Sequence, residues 1–173
     1  MQHKKQRYIE QFRMLPNGEC TAIILKCGSR SIIKDAGREG NRLRQRVDPV
    51  TMYCRHPLER LVSSWSFITS GFFPYIPTVP DNISKILINE FDFNNWVQLA
   101  LKYKNPHWMR VSESHPNWSE YILRPLTSYP GIHINKGSWL GNWNDYYNKD
   151  TKIIALNYYK EDMKIWDKCI KGD

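Results

Sequence analysis

The chain has 173 residues, a formal net charge of +8, 41% hydrophobic residues and 13% aromatic residues. This length and apolar content suit one globular domain over residues 1–173 and exclude an intrinsically disordered chain. The basic charge favours an anionic partner such as a nucleotide or an acidic glycan. No apolar stretch is long enough for a membrane span, and the first residues lack the apolar segment of a signal peptide. We therefore expect a cytoplasmic protein.

The first informative element is a strand followed by a small-residue turn and a helix. The apolar run at residues 21–25 predicts a buried strand, and a helical pattern begins at Ile32. Between them lie Lys26, Cys27, Gly28, Ser29, Arg30 and Ser31. Such a junction offers backbone N–H groups and the positive end of a helix dipole to a phosphate or sulfate. The glycine that precedes Lys-Ser/Thr in the Walker motif is missing, which counts against an ATP-binding P-loop.

A second strand and helix follow about one βαβ repeat later. The apolar run at residues 50–53 predicts a strand, and Pro57 suits the first position of a helix. Arg55 at the strand end and Ser63 two turns into the helix can reach one anion. A guanidinium fork and a hydroxyl together suit a phosphate. Alone, the pair could equally be an exposed arginine and a surface serine; the upstream junction favours the phosphate site.

The remaining segments are less specific. The prolines and aromatics at residues 72–80 exclude regular helix or central strand there. Residues 91–103 have the spacing of an amphipathic helix. The run at 152–157 suggests a late buried strand that leads into a terminal helix. The four cysteines have no metal-type spacing, and we expect them to be reduced thiols.

The two junctions resemble motifs of the sulfotransferases that use 3'-phosphoadenosine 5'-phosphosulfate (PAPS). Residues 25–32, LKCGSRSI, resemble their 5'-phosphosulfate loop, and residues 55–65, RHPLERLVSSW, resemble their 3'-phosphate motif in the carbohydrate branch. Residues 136–143, KGSWLGNW, resemble the Lys-Gly-x-x-Gly-Asp-Trp loop of cytosolic sulfotransferases. Residues 159–166, YKEDMKIW, resemble the element that closes the carbohydrate branch.

This resemblance implies a P-loop-like sulfotransferase fold, which is α/β with a central parallel sheet and helices on both faces. It also implies transfer of the sulfuryl group from PAPS to a hydroxyl acceptor, with a carbohydrate favoured, adenosine 3',5'-bisphosphate (PAP) as the other product and no metal. Lys26 would offset the charge that builds on the leaving group. The nucleotide would be held by Lys26, Cys27, Gly28, Ser29, Arg30, Ser31, Arg55, Ser63, Lys136 and Gly137.

The sequence offers three candidates in one segment for the base that takes the acceptor proton. The His107-Trp108 pair resembles a His-Trp element of the carbohydrate branch, and an imidazole has a pKa suited to proton transfer at neutral pH. Glu113 is a rival because some sulfotransferases use a glutamate, and His115 lies in the same segment. We expect His107 to be the base, with Glu113 and His115 as alternatives.

Two other classes of protein stay open at this point. A P-loop-like nucleotide kinase would also place anion-binding loops after its strands, although no magnesium-binding aspartate is obvious at a strand end. A basic, non-catalytic nucleic-acid-binding module would explain the net charge. The seven tryptophans are scattered at core-like spacings, however, and no nucleic-acid-binding signature is present. We therefore expect a nucleotide and a hydroxyl-bearing acceptor, possibly an anionic glycan, and no nucleic acid as partners.

Overall fold

The computed structural model describes residues 11–25, 29–37, 42–43, 45–71, 74–129 and 141–172. The strands in these residues are β1 (Phe12–Met14), β2 (Cys20–Ala22), β3 (Arg42–Leu43), β4 (Val50–Cys54) and β5 (Ile122–Pro125). The α-helices are α1 (Ser29–Asp35), α2 (Pro57–Ile68), α3 (Asp81–Asn89), α4 (Phe93–Ala100), α5 (Val111–Ser114), α6 (Lys149–Tyr158) and α7 (Lys160–Lys171). Short 3-10 helices cover Trp118–Glu120, Leu126–Ser128 and Trp143–Tyr146.

The strands form one mixed sheet in the order β3-β1-β2-β4-β5. Strands β2, β4 and β5 are parallel, whereas β1 is antiparallel to both β2 and β3. The expectation of a parallel sheet is therefore wrong at this edge. The reason is a tight turn, in which Leu15 N–H donates to the Glu19 carbonyl at 2.8 Å and Gly18 adopts a φ of 82°. Glycine permits this left-handed conformation, so the chain folds β1 back onto β2.

Helices cover both faces of the sheet, as the sequence predicted. Side chains alternate along β4, so this strand contributes to two apolar clusters, and the residues of β2 and the next position, Ile23, divide between the same two clusters. One cluster joins the sheet to α7 and α5 and contains Cys20, Ala22, Ile24, Val50, Met52, Cys54, Val111, Ile165 and Cys169. The other joins the opposite face to α1 and contains Ile23, Tyr53, Ile32 and Ala36. The protein is thus an α/β domain in which the central strands β2 and β4 are buried, whereas the edge strand β5 is partly exposed.

A helical layer packs beside the sheet and includes the two helices that the sequence predicted most directly. Helix α2 begins with Pro57 at its first position, and α4 falls within the predicted range 91–103. Their apolar faces bury one cluster with α3 and α6, in which the Trp96 and Trp108 rings meet edge to face at 5.3 Å. No helix in the described ranges combines the length and apolar character that a bilayer crossing requires.

The predicted strand at residues 152–157 is wrong, because this segment lies in α6. Asn148 caps that helix by accepting a hydrogen bond from the Thr151 N–H at 2.8 Å. Thr151 and Ala155, one turn apart, are the buried residues of α6, while Ile153 and Ile154 are exposed. The late strand of the sheet is instead β5, which is four residues long and ends in a proline.

A buried ion pair connects the helical layer to α7. The Arg60 and Asp162 side chains are 3% and 2% exposed, and Arg60 Nη2 lies 2.8 Å from Asp162 Oδ2. The carboxylate also accepts from the Val111 N–H at 2.7 Å, the Ser112 N–H at 3.0 Å and the Ser112 hydroxyl at 2.9 Å. One aspartate therefore holds α2, α5 and α7 together. These bonds offset the cost of removing two charges from water.

Replacement of this aspartate should destabilise the protein strongly. Asp162→Asn leaves the Arg60 charge buried without its counter-charge, which costs about 3–5 kcal/mol of the free energy of unfolding. Urea unfolding followed by circular dichroism measures this loss. The neighbouring exposed Glu161, which pairs with Lys164 on the surface, provides the control Glu161→Gln. Equal unfolding free energies for the two variants would contradict the role given to Asp162.

Candidate functional site

A narrow cleft with a free volume of about 10 Å³, room for about one water molecule, lies at the carboxyl ends of the parallel strands β2 and β4. Its lining residues are Ile24, Cys54, Arg55, Pro57, Arg60, Val111, Asp162, Ile165 and Trp166. Ile24 comes shortly after β2, and Arg55 comes directly after β4. In parallel sheets, ligands bind beyond the carboxyl ends of the strands, where the connecting loops meet. The cleft therefore brings the end of the first predicted strand, at Ile24, next to Arg55 of the second junction.

Among the described residues, Arg55 has one ion-pair partner. Its Nε lies 3.7 Å from Glu59 Oε1, and its side chain is partly exposed. A guanidinium has five N–H donors, so this long contact leaves donors that the described residues do not engage. Ser63 is one helical turn beyond Glu59 and is half-buried. Within the described part of the chain, its hydroxyl has no hydrogen-bond partner. Ser63 is not among the residues that line the cleft, and its pairing with Arg55 around an anion stays a prediction.

The residue after Arg55 anchors two of the other segments that resemble sulfotransferase motifs. His56 Nδ1 accepts a hydrogen bond from the Leu58 N–H at 3.2 Å and so caps α2. Its ring stacks on Trp143, with centroids 4.5 Å apart, and meets the edge of Trp166 at 5.7 Å. Trp143 ends the segment 136–143, and Trp166 ends the segment 159–166. Three of the four segments therefore meet at the start of α2.

The neutral form of His56 suits this position. Burial lowers the pKa of His56, with Lys152 adding to the effect and Asp167 opposing it. A neutral imidazole can accept from the Leu58 N–H, whereas a protonated ring has no acceptor nitrogen. Near neutral pH, His56 can therefore cap α2 and stack on Trp143 at the same time.

The first anion-binding loop is described only in part. Ser29 is the first residue of α1 and is buried. Arg30 and Ser31 also belong to α1, but their side chains lie outside the described part of the structure. Lys26, Cys27, Gly28, Lys136 and Gly137 lie outside the described residues. Their roles stay predictions from the sequence.

Among the candidate bases, His107 is tied to the helix that carries Ser63. The Ser64 hydroxyl donates to the His107 carbonyl at 2.5 Å, and the His107 N–H donates to Asn105 Oδ1 at 2.9 Å. The half-buried ring lies beside Phe67, with centroids 5.4 Å apart. The hydrogen bond from Ser64 and the ring contact with Phe67 hold this histidine against α2, and it is not among the residues that line the cleft.

The two alternative bases, Glu113 and His115, have different surroundings. Glu113 forms an ion pair with Arg110 and lies 3.7 Å from Lys104 Nζ, so two cations already engage its carboxylate. His115 is 3% exposed and its Nδ1 is 2.9 Å from the Ser114 hydroxyl. Burial, together with the positive charge of Arg60, lowers the pKa of His115 to about 4. This depth and this pKa favour a structural role for His115.

The sequence interpretation did not identify Arg60 or Asp162, although both line the cleft. The sequence contains a signal for each of these two residues. Arg60 lies between Leu58 and Leu61 on the buried face of α2, where a charged residue needs a partner. Asp162 shares the buried face of α7 with Ile165 and Cys169, at spacings of three and four residues. A charge on an apolar helix face indicates a buried pair, but the spacing alone does not identify the partner.

Comparison of the chain with protein-family models, with curated proteins and with solved structures found no match.

The buried imidazole should make stability depend on pH. The pKa of His115 is about 4 in the folded protein and about 6.5 in an unfolded chain, so the unfolded state takes up the proton first as pH falls. Stability is then lost between about pH 6.5 and pH 4, by about 3 kcal/mol in total. Urea unfolding of the wild type and of His115→Leu across this range isolates the contribution, because other titrating groups cancel. Parallel profiles for the two proteins would contradict burial of a neutral His115.

Proposed function

We propose that the protein is a PAPS-dependent sulfotransferase that transfers the sulfuryl group to a hydroxyl acceptor. The observation that carries this proposal is the cleft where Arg55, at the carboxyl end of β4, lies beside the chain that leaves β2 for the Lys26 loop. The packing of Trp143 and Trp166 on His56 supports it, because it joins two more motif segments to the same place. The proposed fold is the P-loop-like sulfotransferase fold. Three parallel strands and helices on both faces are compatible with it.

In this proposal one nucleotide bridges the two junctions. The 5'-phosphosulfate binds the loop from Lys26 to Ser31, and the 3'-phosphate binds Arg55 and Ser63. Lys136 and Gly137 complete the nucleotide site from the segment that ends at Trp143. The parallel register of β2 and β4, in which Ala22 pairs with Met52, supports this arrangement because it brings the two loops to one edge.

The chemistry needs charge stabilisation more than covalent assistance. The acceptor oxygen attacks sulfur, the bond from sulfur to the bridging oxygen of PAPS breaks, and negative charge builds on that oxygen. By analogy with phosphoryl transfer, positioning and electrostatics provide most of the rate enhancement. Lys26 stabilises the leaving oxygen, and His107 takes the acceptor proton. The resemblance to the carbohydrate branch and the net charge of +8 favour a sugar hydroxyl on an acidic glycan.

Nucleotide binding tests the role of Arg55. Arg55→Ala should weaken PAP binding by about 1.5–3 kcal/mol, the scale of a hydrogen-bonded charge, with little change for adenosine 5'-monophosphate, which has no 3'-phosphate. Isothermal titration calorimetry measures both affinities. Arg46 precedes β4 and pairs with Glu120 away from the cleft, so Arg46→Ala is the charge-matched control. Equal losses for both nucleotides would mean that Arg55 has a structural role only.

The rate of turnover tests whether His107 is the catalytic base. His107→Ala should lower the rate of PAP formation from PAPS by about two to four orders of magnitude and leave PAP affinity unchanged. The assay uses a panel of sugar acceptors, and Glu113→Gln in the same segment serves as the comparison. If Glu113→Gln removes activity while His107→Ala keeps it, the carboxylate is the base.

A further inference from the structure

A second cavity lies at the amino ends of the parallel strands, at the end of the sheet opposite to the cleft. It has a free volume of about 300 Å³, which is at the lower end of the range for sites that bind small molecules. The described residues that line it are all different from those that line the cleft. This cavity, the amino-end hollow, is lined by Asn17, Gly18, Glu19, Cys20, Val47, Asp48, Pro49, Thr51, Ile122 and Arg124.

One buried hydroxyl in the amino-end hollow has no hydrogen-bond partner among the residues that the structure describes. It belongs to Thr51, which is 2% exposed and pairs with Thr21 in the register of β4 and β2. The Thr21 hydroxyl, by contrast, donates to Glu19 Oε1 at 3.2 Å. Buried hydroxyls in proteins usually have a hydrogen-bond partner. A ligand in the hollow can therefore supply the partner that Thr51 lacks.

The described lining of the hollow is acidic, although the whole chain has a net charge of +8. Glu19 and Asp48 contribute two carboxylates, and Arg124 contributes one guanidinium. Glu19 Oε1 accepts from the Tyr53 hydroxyl at 3.0 Å, and Glu19 Oε2 lies 3.5 Å from Arg124 Nη1. The protein therefore engages both oxygens of Glu19, and this carboxylate offsets the charge of Arg124.

Asp48 is the less engaged of the two carboxylates. Its side chain is exposed, and its Oδ1 lies 3.5 Å from Arg46 Nε. Arg46 pairs more closely with Glu120, which is not among the residues that line the hollow. An ionised carboxylate has acceptor sites and no donor. The oxygens of Asp48 and Thr51 therefore favour a ligand group that donates several hydrogen bonds and carries a positive charge.

We propose that the amino-end hollow binds a small primary amine with a short apolar chain. An ammonium group combines a positive charge with three N–H donors. One N–H donates to the Asp48 carboxylate and another to the Thr51 hydroxyl, while the chain packs on the exposed side chains of Val47 and Ile122. Neither the hollow nor this ligand takes part in the proposed sulfotransferase reaction, so the two proposals fail or succeed separately.

Titration of the ¹⁵N-labelled full chain, followed by NMR, tests the preference for an amine. The ligands are n-pentylamine, n-pentanol and n-pentanoate, which share one apolar chain and differ in the polar group. At pH 7 the amine is protonated, and it should shift the amide signals of Gly18 and Val47 in a saturable way, with an affinity at least about fivefold above that of the alcohol. Equal affinities for the three ligands, tighter binding of pentanoate, or no shift at these amides would overturn the proposal.

Substitutions test whether Asp48 and Thr51 hold the ammonium. Asp48→Asn and Thr51→Val should each weaken pentylamine binding at least about threefold, since each removes one hydrogen-bond acceptor from the hollow. Glu120→Gln is the matched control, because Glu120 and Asp48 both pair with Arg46 and only Asp48 lines the hollow. This control should bind pentylamine like the wild type. Unchanged affinity in Asp48→Asn, or an equal loss in Glu120→Gln, would overturn the assignment.

A capped lysine distinguishes two sources of the same group. Nα-acetyl-lysine methylamide carries a butylammonium chain on a peptide backbone, whereas pentylamine is a free amine. Weaker binding of the capped lysine at the Gly18 and Val47 amides would identify a free amine as the ligand, and tighter binding would identify a lysine side chain of a peptide. If neither compound shifts these signals, the hollow is not an amine site.

Discussion

The buried ion pair between Arg60 and Asp162 is the interaction on which the arrangement of the helices depends. It joins residues 102 positions apart, and its carboxylate also orders the start of α5. Arg60 lies over the Tyr159 ring at 5.3 Å, and the Tyr159 hydroxyl donates to the Trp108 carbonyl in the core of the helical layer. A buried charge pair is stabilising only when its hydrogen bonds are made, so α2, α5 and α7 must adopt one relative position.

The fixed relative position of α2, α5 and α7 determines the shape of the cleft. Arg60 of α2 and Asp162 of α7 form one part of its lining, while Arg55, between β4 and α2, and Trp166 of α7 also line it. Arg60 and Arg55 differ in how far carboxylates of the protein engage their guanidinium groups. Asp162 neutralises Arg60 in the interior, whereas among the described residues Arg55, at the end of β4, has one long ion-pair contact with a partly exposed carboxylate. The proposed function gives Arg55 the role of binding an anion.

Local signals in the sequence predicted β4, α2, α4 and the position of Arg55, because apolar spacing and a proline at a helix start act over a few residues. The hairpin of β1 was missed because a three-residue strand has no periodicity to recognise. Residues 152–157 contain a short apolar run that suits strand or helix equally. The Asn148 side chain caps the start of α6 and so favours the helix. The ion pair between Arg60 and Asp162 and the stacking of Trp143 on His56 depend on tertiary packing, so no local pattern could predict them.

The central claim is that the cleft at the ends of β2 and β4 recognises a nucleotide with a 3'-phosphate. A calorimetric titration of the reduced wild-type protein with PAP, ATP and a single-stranded oligonucleotide tests it most directly, because the three ligands represent the three classes that the sequence left open. The claim predicts saturable binding of PAP at one site, at least about tenfold tighter than binding of ATP. Equal affinity for PAP and ATP, or binding of the oligonucleotide alone, would contradict it.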